Sequence, residues 1–267
     1  MELALYQVDA FSSALFRGNP AAICPLERWL PEETMQAIAA ENNLSETAYY
    51  VRDNGRYGLR WFTPKVEVDL CGHATLATAA VILDVRGESA DSRVIFDTKS
   101  GELAVERAAG GNPPLYAMDF PARPPVVCPA DPKLEAGLRA KPSTILGARD
   151  YFCVFDTEEE LRALRPDMAL LASLDRFGII ATAPGRDCDF VSRFFAPAKG
   201  VPEDPVTGSS HTTLIPYWSA RLGRKKMFAR QLSARGGELW CEDRDSRVRI
   251  AGSAVKYLEG RIQIPVN

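Results

Sequence analysis

Histidine is almost missing from this chain: 267 residues include only His73 and His211. Two are too few for a histidine-built metal centre, and they lack the H-E-x-x-H spacing that sets two imidazoles on one helical face. No two glycines stand as G-x-G and no glycine precedes a lysine, which removes both the dinucleotide fingerprint and the P-loop. The six cysteines, Cys24, Cys71, Cys128, Cys153, Cys188 and Cys241, are scattered and never form C-x-x-C. That excludes a thiolate zinc ribbon and argues against a disulfide framework, so most are expected as reduced core residues. No stretch reaches the roughly 18 apolar residues needed to cross a bilayer; the most apolar, around 70–83, holds His73 and several threonines. Positive charge is not in excess either. The 32 basic and 35 acidic residues give a net charge of −3, with no basic stripe to meet a phosphate backbone. The start, MELALYQVDAF, has neither the basic segment nor the apolar run of a secretory signal. The expectation is a cytoplasmic protein with no nucleic-acid or membrane partner, using neither metal nor organic cofactor.

What is present is the composition of a packed globular protein, 46% hydrophobic and 25% charged. The length favours two lobes. Runs such as LALYQV (3–8), TAYYV (47–51), GLRWF (58–62), RVIFD (93–97) and ELAVE (102–106) carry branched and aromatic residues between turn signals, and predict many short strands. Pro31-Glu32-Glu33 opens a helix whose apolar face is Met35, Ile38 and Ala39. Residues 72–84, GHATLATAAVILD, are apolar nearly all round and predict a helix buried on every side. Prolines crowd 113–132 and place the lobe boundary near 118–130. Beyond it, YFCVF (151–155), FGIIATA (177–183) and DFVSRFF (189–195) read as strands, and DTEEELRAL (156–164) as a helix capped by Asp156 or Thr157. A second largely buried helix is expected over Gly208–Leu222, kinked by Pro216 and stopped by Gly223.

The halves echo each other. Arg60-Trp61-Phe62-Thr63-Pro64 precedes Gly72 and a helix, and Arg193-Phe194-Phe195-Ala196-Pro197 precedes Gly208 and a helix. The offsets, 133 and 136 residues, are near half the chain and suggest two similar lobes. At each glycine the chain enters a helix with free N–H groups and a positive dipole end, so two such ends facing one cleft would bind a carboxylate, with the Ser209 and Ser210 hydroxyls as further donors. A plain serine cap is the alternative. Glu46, His73 and Asp204 are the ionisable residues beside these elements. A carboxylate shut away from water has its charged form disfavoured, which fits a group for taking and returning a proton. Read singly, Glu46 is equally a solvated strand residue, His73 a hydrogen-bonded core imidazole and Asp204 a turn carboxylate.

Four motifs, RGNPAAIC (17–24), LSETAYYV (44–51), FTPKVEVDLCGHATLATA (62–79) and EDPVTGSSH (203–211), closely resemble those of the PhzF-like phenazine-biosynthesis family, in the same order and across nearly the whole chain. The resemblance implies an α+β fold of the diaminopimelate-epimerase-like kind: two pseudo-symmetric lobes, 1–120 and 121–267, each a strand-rich sheet wrapped around a central buried helix, with the chain end free to return to the first lobe. It implies Glu46, His73 and Asp204 as catalytic residues, and Gly72, Gly208 and Ser209 as binders of a substrate carboxylate. The implied activity is a cofactor-independent isomerisation of a small cyclic or amino carboxylic acid, like that of trans-2,3-dihydro-3-hydroxyanthranilate, usually by a homodimer. Distant epimerase relatives use two cysteines as opposed bases, and the corresponding positions here are Cys71 and Thr207. A threonine hydroxyl is too weak an acid to replace a thiol, which disfavours two-thiol racemisation and makes Cys71 wall rather than base. A carboxylate binder without chemistry and an amino-acid racemase remain the alternative readings. Tyr49, Trp61, Tyr217 and Trp218 are expected in the core.

Overall fold

The structure is a computed structural model, and it describes residues 1–108, 112–129 and 131–265. The chain forms two compact units, Met1–Asp119 with Ala251–Asn267, and Phe120–Ile250.

The first unit runs β1 (Glu2–Ala10), β2 (Asn19–Leu26), α1 (Glu32–Asn42), β3 (Glu46–Asp53), β4 (Arg56–Phe62), β5 (Glu67–Val68), α2 (Gly72–Ala80), β6 (Arg93–Thr98), β7 (Gly101–Ala108) and β8 (Leu115–Pro121). The strands hydrogen-bond in the order β1–β2–β3–β4–β6–β7–β8. Most neighbours are antiparallel, but β2–β3 and β4–β6 are parallel. Parallel neighbours need a crossover, and α1 and α2 lie in those two connections. The expected face of α1 is the buried one, Met35, Ile38 and Ala39, packed with Tyr49 and Phe62.

Every residue of α2 from His73 to Ala80 is buried, and the helix packs against β1, β2, β3 and β7. Alanine lets strands approach it closely. Its two buried hydroxyls bond back within the helix, Thr75 to the Cys71 carbonyl at 2.5 Å and Thr78 to that of Ala74 at 2.7 Å. The regular helix is shorter than the 72–84 expected. After Ala80 the chain widens into a π-helical turn, Val81–Val85, closed by Arg86 N–H on the Val81 carbonyl at 2.8 Å. That wider turn keeps the branched Val81 and Ile82 both buried.

The second unit contains β9 (Val126–Val127), α3 (Lys133–Leu138), β10 (Thr144–Gly147), β11 (Tyr151–Val154), α4 (Glu158–Ala163), α5 (Met168–Ala172), β12 (Ile179–Pro184), β13 (Phe190–Phe195), α6 (Gly208–Leu222), β14 (Lys226–Gln231) and β15 (Gly237–Arg244). The long β16 (Arg247–Gln263) follows, and its later residues pair antiparallel with β1 in the first unit. The order is β15–β14–β13–β12–β11–β10–β9, with β11–β12 and β13–β14 parallel. Of the two candidate caps for α4 it is Thr157 that serves. Its hydroxyl accepts from Glu160 N–H while the Glu160 carboxylate accepts from Thr157 N–H. Helix α6 has the expected bounds, contains Pro216, and ends on Gly223 in the left-handed conformation. Its buried side packs on β15.

Tyr49, Trp61 and Trp218 are fully buried, as expected of core aromatics, whereas Tyr217 is only half-buried. All six cysteines are free thiols, four buried and two half-buried. Among the described residues no helix is long and apolar enough to cross a membrane.

Candidate active site

In the first unit, β2, β3 and α2 bring three sequence-distant residues together. Glu46 is the first residue of β3, level with Ala21 on parallel β2. His73 is the second residue of α2, and Asn19 begins β2. Helix α2 starts from Cys71, whose extended backbone serves as N-cap without a side-chain cap bond, so Gly72 occupies the first helical position.

The imidazole of His73 is the centre of this group. Its Nε2 lies 3.1 Å from Glu46 Oε2. Yet both atoms are buried and neither has a hydrogen-bond partner among the described residues. The carboxylate therefore approaches off the direction of a ring N–H, at ion-pair distance but without a directed bond. On the other side of the ring, Nδ1 is 3.2 Å from the Asn19 amide nitrogen and 3.5 Å from Cys71 Sγ. Burial works against a charged imidazole, but the Cys71 sulfur and the Glu46 carboxylate outweigh it, and the His73 pKa is raised well above the ordinary histidine value. Burial, reinforced by the Glu46 charge, pushes the Cys71 thiol up from its ordinary value, against the opposing pull of His73. Glu46, Cys71 and His73 offer three ligand atoms within 4.8 Å of one another. Thiol and carboxylate, however, address different ring nitrogens, and an ion on one nitrogen would leave the other donor across the ring.

In the second unit, Asp204, Gly208 and Ser209 gather at the start of α6. Thr207 is the N-cap, with extended backbone, and its hydroxyl donates to Asp204 Oδ2. The pair is braced by Gln231, which is fully buried at the end of β14. Its amide nitrogen donates to the Asp204 carbonyl at 2.8 Å and to Thr207 Oγ1 at 3.1 Å, while its oxygen accepts from Thr207 N–H at 2.9 Å. Ser209 Oγ accepts from Arg149 at 3.2 Å, which leaves the hydroxyl proton to donate elsewhere. That guanidinium is itself held by the buried Asp150 carboxylate at 3.1 Å and lies over Phe177. The expectation for Ser210 is corrected: its hydroxyl turns back to the Thr207 carbonyl at 2.8 Å and is not presented to a ligand. His211 is buried with Nδ1 2.9 Å from the same carbonyl. Burial lowers its pKa to about 4 despite that bond, so the ring is neutral.

Thus Glu46, His73 and Gly72 are neighbours in one unit, and Asp204, Gly208 and Ser209 in the other. Sequence reasoning missed Asn19, Arg149 and Gln231 as supports of these groups. Only Asn19 carried a signal, through its place in RGNPAAIC.

The strand-rich α+β fold is of the kind seen in PhzF-family and epimerase structures. The fold is shared by a hydroxyproline epimerase structure from Agrobacterium vitis, with TM-score 0.62 at 10% identity over 98% of this chain and 92% of that one. A PhzF-family crystal structure from Enterococcus faecalis matches far more tightly, with TM-score 0.94 and 46% identity over 99% of this chain and 100% of that one. The family model described as "Phenazine biosynthesis-like protein" matches residues 8–260. A Pseudomonas aeruginosa protein named "uncharacterized isomerase" is 50% identical over 264 residues, 99% of this chain and all of that one. The chain belongs to the phenazine biosynthesis-like, PhzC-PhzF family.

Proposed function

We propose that the protein is a cofactor-independent isomerase that moves a proton within a small cyclic or amino carboxylic acid, with Glu46 as the acid/base. The observation that carries this reading is the partnerless pair Glu46 Oε2 and His73 Nε2, 3.1 Å apart and buried. Buried polar atoms are normally satisfied, and a carboxylate and an imidazole left open together are fitted to a third group that brings its own proton. The name isomerase borne by the Pseudomonas relative agrees with it.

In the proposed reaction the Glu46 carboxylate takes a proton from a substrate carbon. The electron pair of that C–H bond enters the adjacent unsaturated system. The resulting glutamic acid then protonates a different carbon of the same molecule, so the double bond migrates and nothing is gained or lost. His73 is the group beside Glu46 suited to hold and polarise the substrate, and Asp204, in its braced turn ahead of α6, is the ionisable group of the second unit assigned to the same chemistry. The helix start at Gly72 in the first unit, and that at Gly208 with the Ser209 hydroxyl in the second, each present donors that favour an anion such as a carboxylate. The reading carries with it two similar lobes built on α2 and α6 as central helices.

The test is to incubate the protein with cyclic and amino carboxylic acids in heavy water and follow carbon-bound protons by NMR. Migration of a double bond is the expected result, and Glu46→Gln should lose about 10²–10⁴-fold in rate. Exchange with inversion would identify an epimerase, and neither exchange nor double-bond migration a mere binder. Full turnover by Glu46→Gln would remove Glu46 from the mechanism.

A further inference from the structure

Asn19 lies in a motif that the proton-transfer reading leaves without a task. It is fully buried, and Gly18 before it takes φ +68°, a turn that sets Asn19 at the head of β2. Its amide nitrogen faces His73 Nδ1 at 3.2 Å, and its carbonyl oxygen accepts from the Ser45 hydroxyl at 3.2 Å. Ser45 is the residue directly before Glu46. Two hydrogen bonds therefore lead from the backbone neighbour of the carboxylate to the far side of the imidazole.

A neutral imidazole has one donor and one acceptor nitrogen, and the partner of one nitrogen settles the state of the other. An amide N–H aimed at Nδ1 calls for a lone pair there, which leaves the proton on Nε2, the nitrogen facing Glu46. The Ser45 hydroxyl donates to the amide oxygen, a contact consistent with that orientation. We propose that Asn19, anchored by Ser45, is a positioning residue that decides which nitrogen of His73 gives up its proton: as the ring loses its charge Nδ1 is bared toward the Asn19 N–H and the remaining proton stays on Nε2, toward Glu46. The consequence for catalysis rests on the proton-transfer reading, whereas the tautomer belongs to the free protein. The charged or titratable groups facing the ring are the Glu46 carboxylate from β3 and the Cys71 thiol at the α2 N-cap, and both favour the charged ring. The Asn19 N–H is the neighbour that opposes it.

The chain suits a direct test because it has two histidines. His211, with Nδ1 2.9 Å from the Thr207 carbonyl, must carry its proton on Nδ1 when neutral, and it is an internal standard of the opposite tautomer. In the full-length protein labelled with ¹⁵N-histidine and titrated through alkaline pH, neutral His73 should show a protonated Nε2 and a bare Nδ1, the reverse of His211. Asn19→Asp places a carboxylate at Nδ1 and should move the proton there, raising the His73 midpoint by about 1–3 pH units. Ser45→Ala, at a half-buried position, frees the amide to turn and should shift tautomer and midpoint the same way by less. It keeps the test open if Asn19→Asp does not fold. A wild-type His73 protonated on Nδ1, or tautomer and midpoint unmoved by these substitutions, would overturn the assignment. This readout needs no substrate, so its failure is distinct from retained turnover in Glu46→Gln.

Discussion

Cys71 and Thr207 hold the same station in two helices. Each is an N-cap residue in extended conformation, lacks a side-chain cap bond, and is followed by glycine at the first helical position. One is a thiol whose pKa is pushed up by burial, and the other a hydroxyl engaged with Asp204. Neither is prepared to act as a base near neutral pH.

It follows that Cys71→Ser should keep turnover within about tenfold of wild type, whereas loss of a true thiol base would cost roughly 10²–10⁴-fold. Steady-state rates of the two proteins on the same acid decide between these outcomes.

Stability should depend on pH in opposite senses at the two histidines. Folding depresses the His211 pKa from 6.5 to about 4. Its contribution is complete above pH 6.5 and falls as pH drops toward 4, where the unfolded chain binds the extra proton. The loss is about 3 kcal/mol. Folding raises the His73 pKa, so its contribution is present below 6.5 and is lost as pH rises through the folded value. Urea unfolding between pH 4 and 9 should therefore show a shallower acid limb in His211→Asn and a shallower alkaline limb in His73→Asn.

Arg193 on β13 makes a two-pronged bond with Glu203, at 2.8 and 3.0 Å, and also donates to the Leu161 and Leu164 carbonyls at the end of α4. Its side chain is only 11% exposed. Arg193→Ala should cost about 3 kcal/mol in chemical denaturation, because the carboxylate and two carbonyls lose their donor together. Arg193→Lys should restore little, since an ammonium cannot reproduce the planar fork.

Gly18 sits at φ +68°, and a Cβ there would stand 2.2 Å from the Ala10 carbonyl oxygen. Backbone cannot yield as a flexible side chain would. Gly18→Ala should lower stability by about 1–3 kcal/mol in thermal melts, and should disturb the His73 ¹⁵N signals through adjacent Asn19.

Much of the local structure was legible in the chain. The apolar face of α1, the all-round burial of α2 and the Gly223 stop of α6 follow from periodicity and end signals that act within a few residues. The repeated Arg-aromatic-aromatic run was visible too, and both of its arginines fork onto a glutamate shortly downstream, Arg60 onto Glu67 and Arg193 onto Glu203. The fate of Ser210 was misjudged because a serine in the first turn of a helix is equally able to face a ligand or bond back to the N-cap carbonyl.

Sequence alone determined which residue types stand at the helix starts and which runs become strands, since these depend on torsional preference and on the spacing of apolar side chains. Tertiary structure decided the partners. Asn19 meets His73 across 54 positions and Gln231 meets Thr207 across 24, through strands whose register is settled by burial across the whole sheet. No local pattern encodes such meetings, because the energy of a buried hydrogen bond is realised only after the chain between its ends has closed.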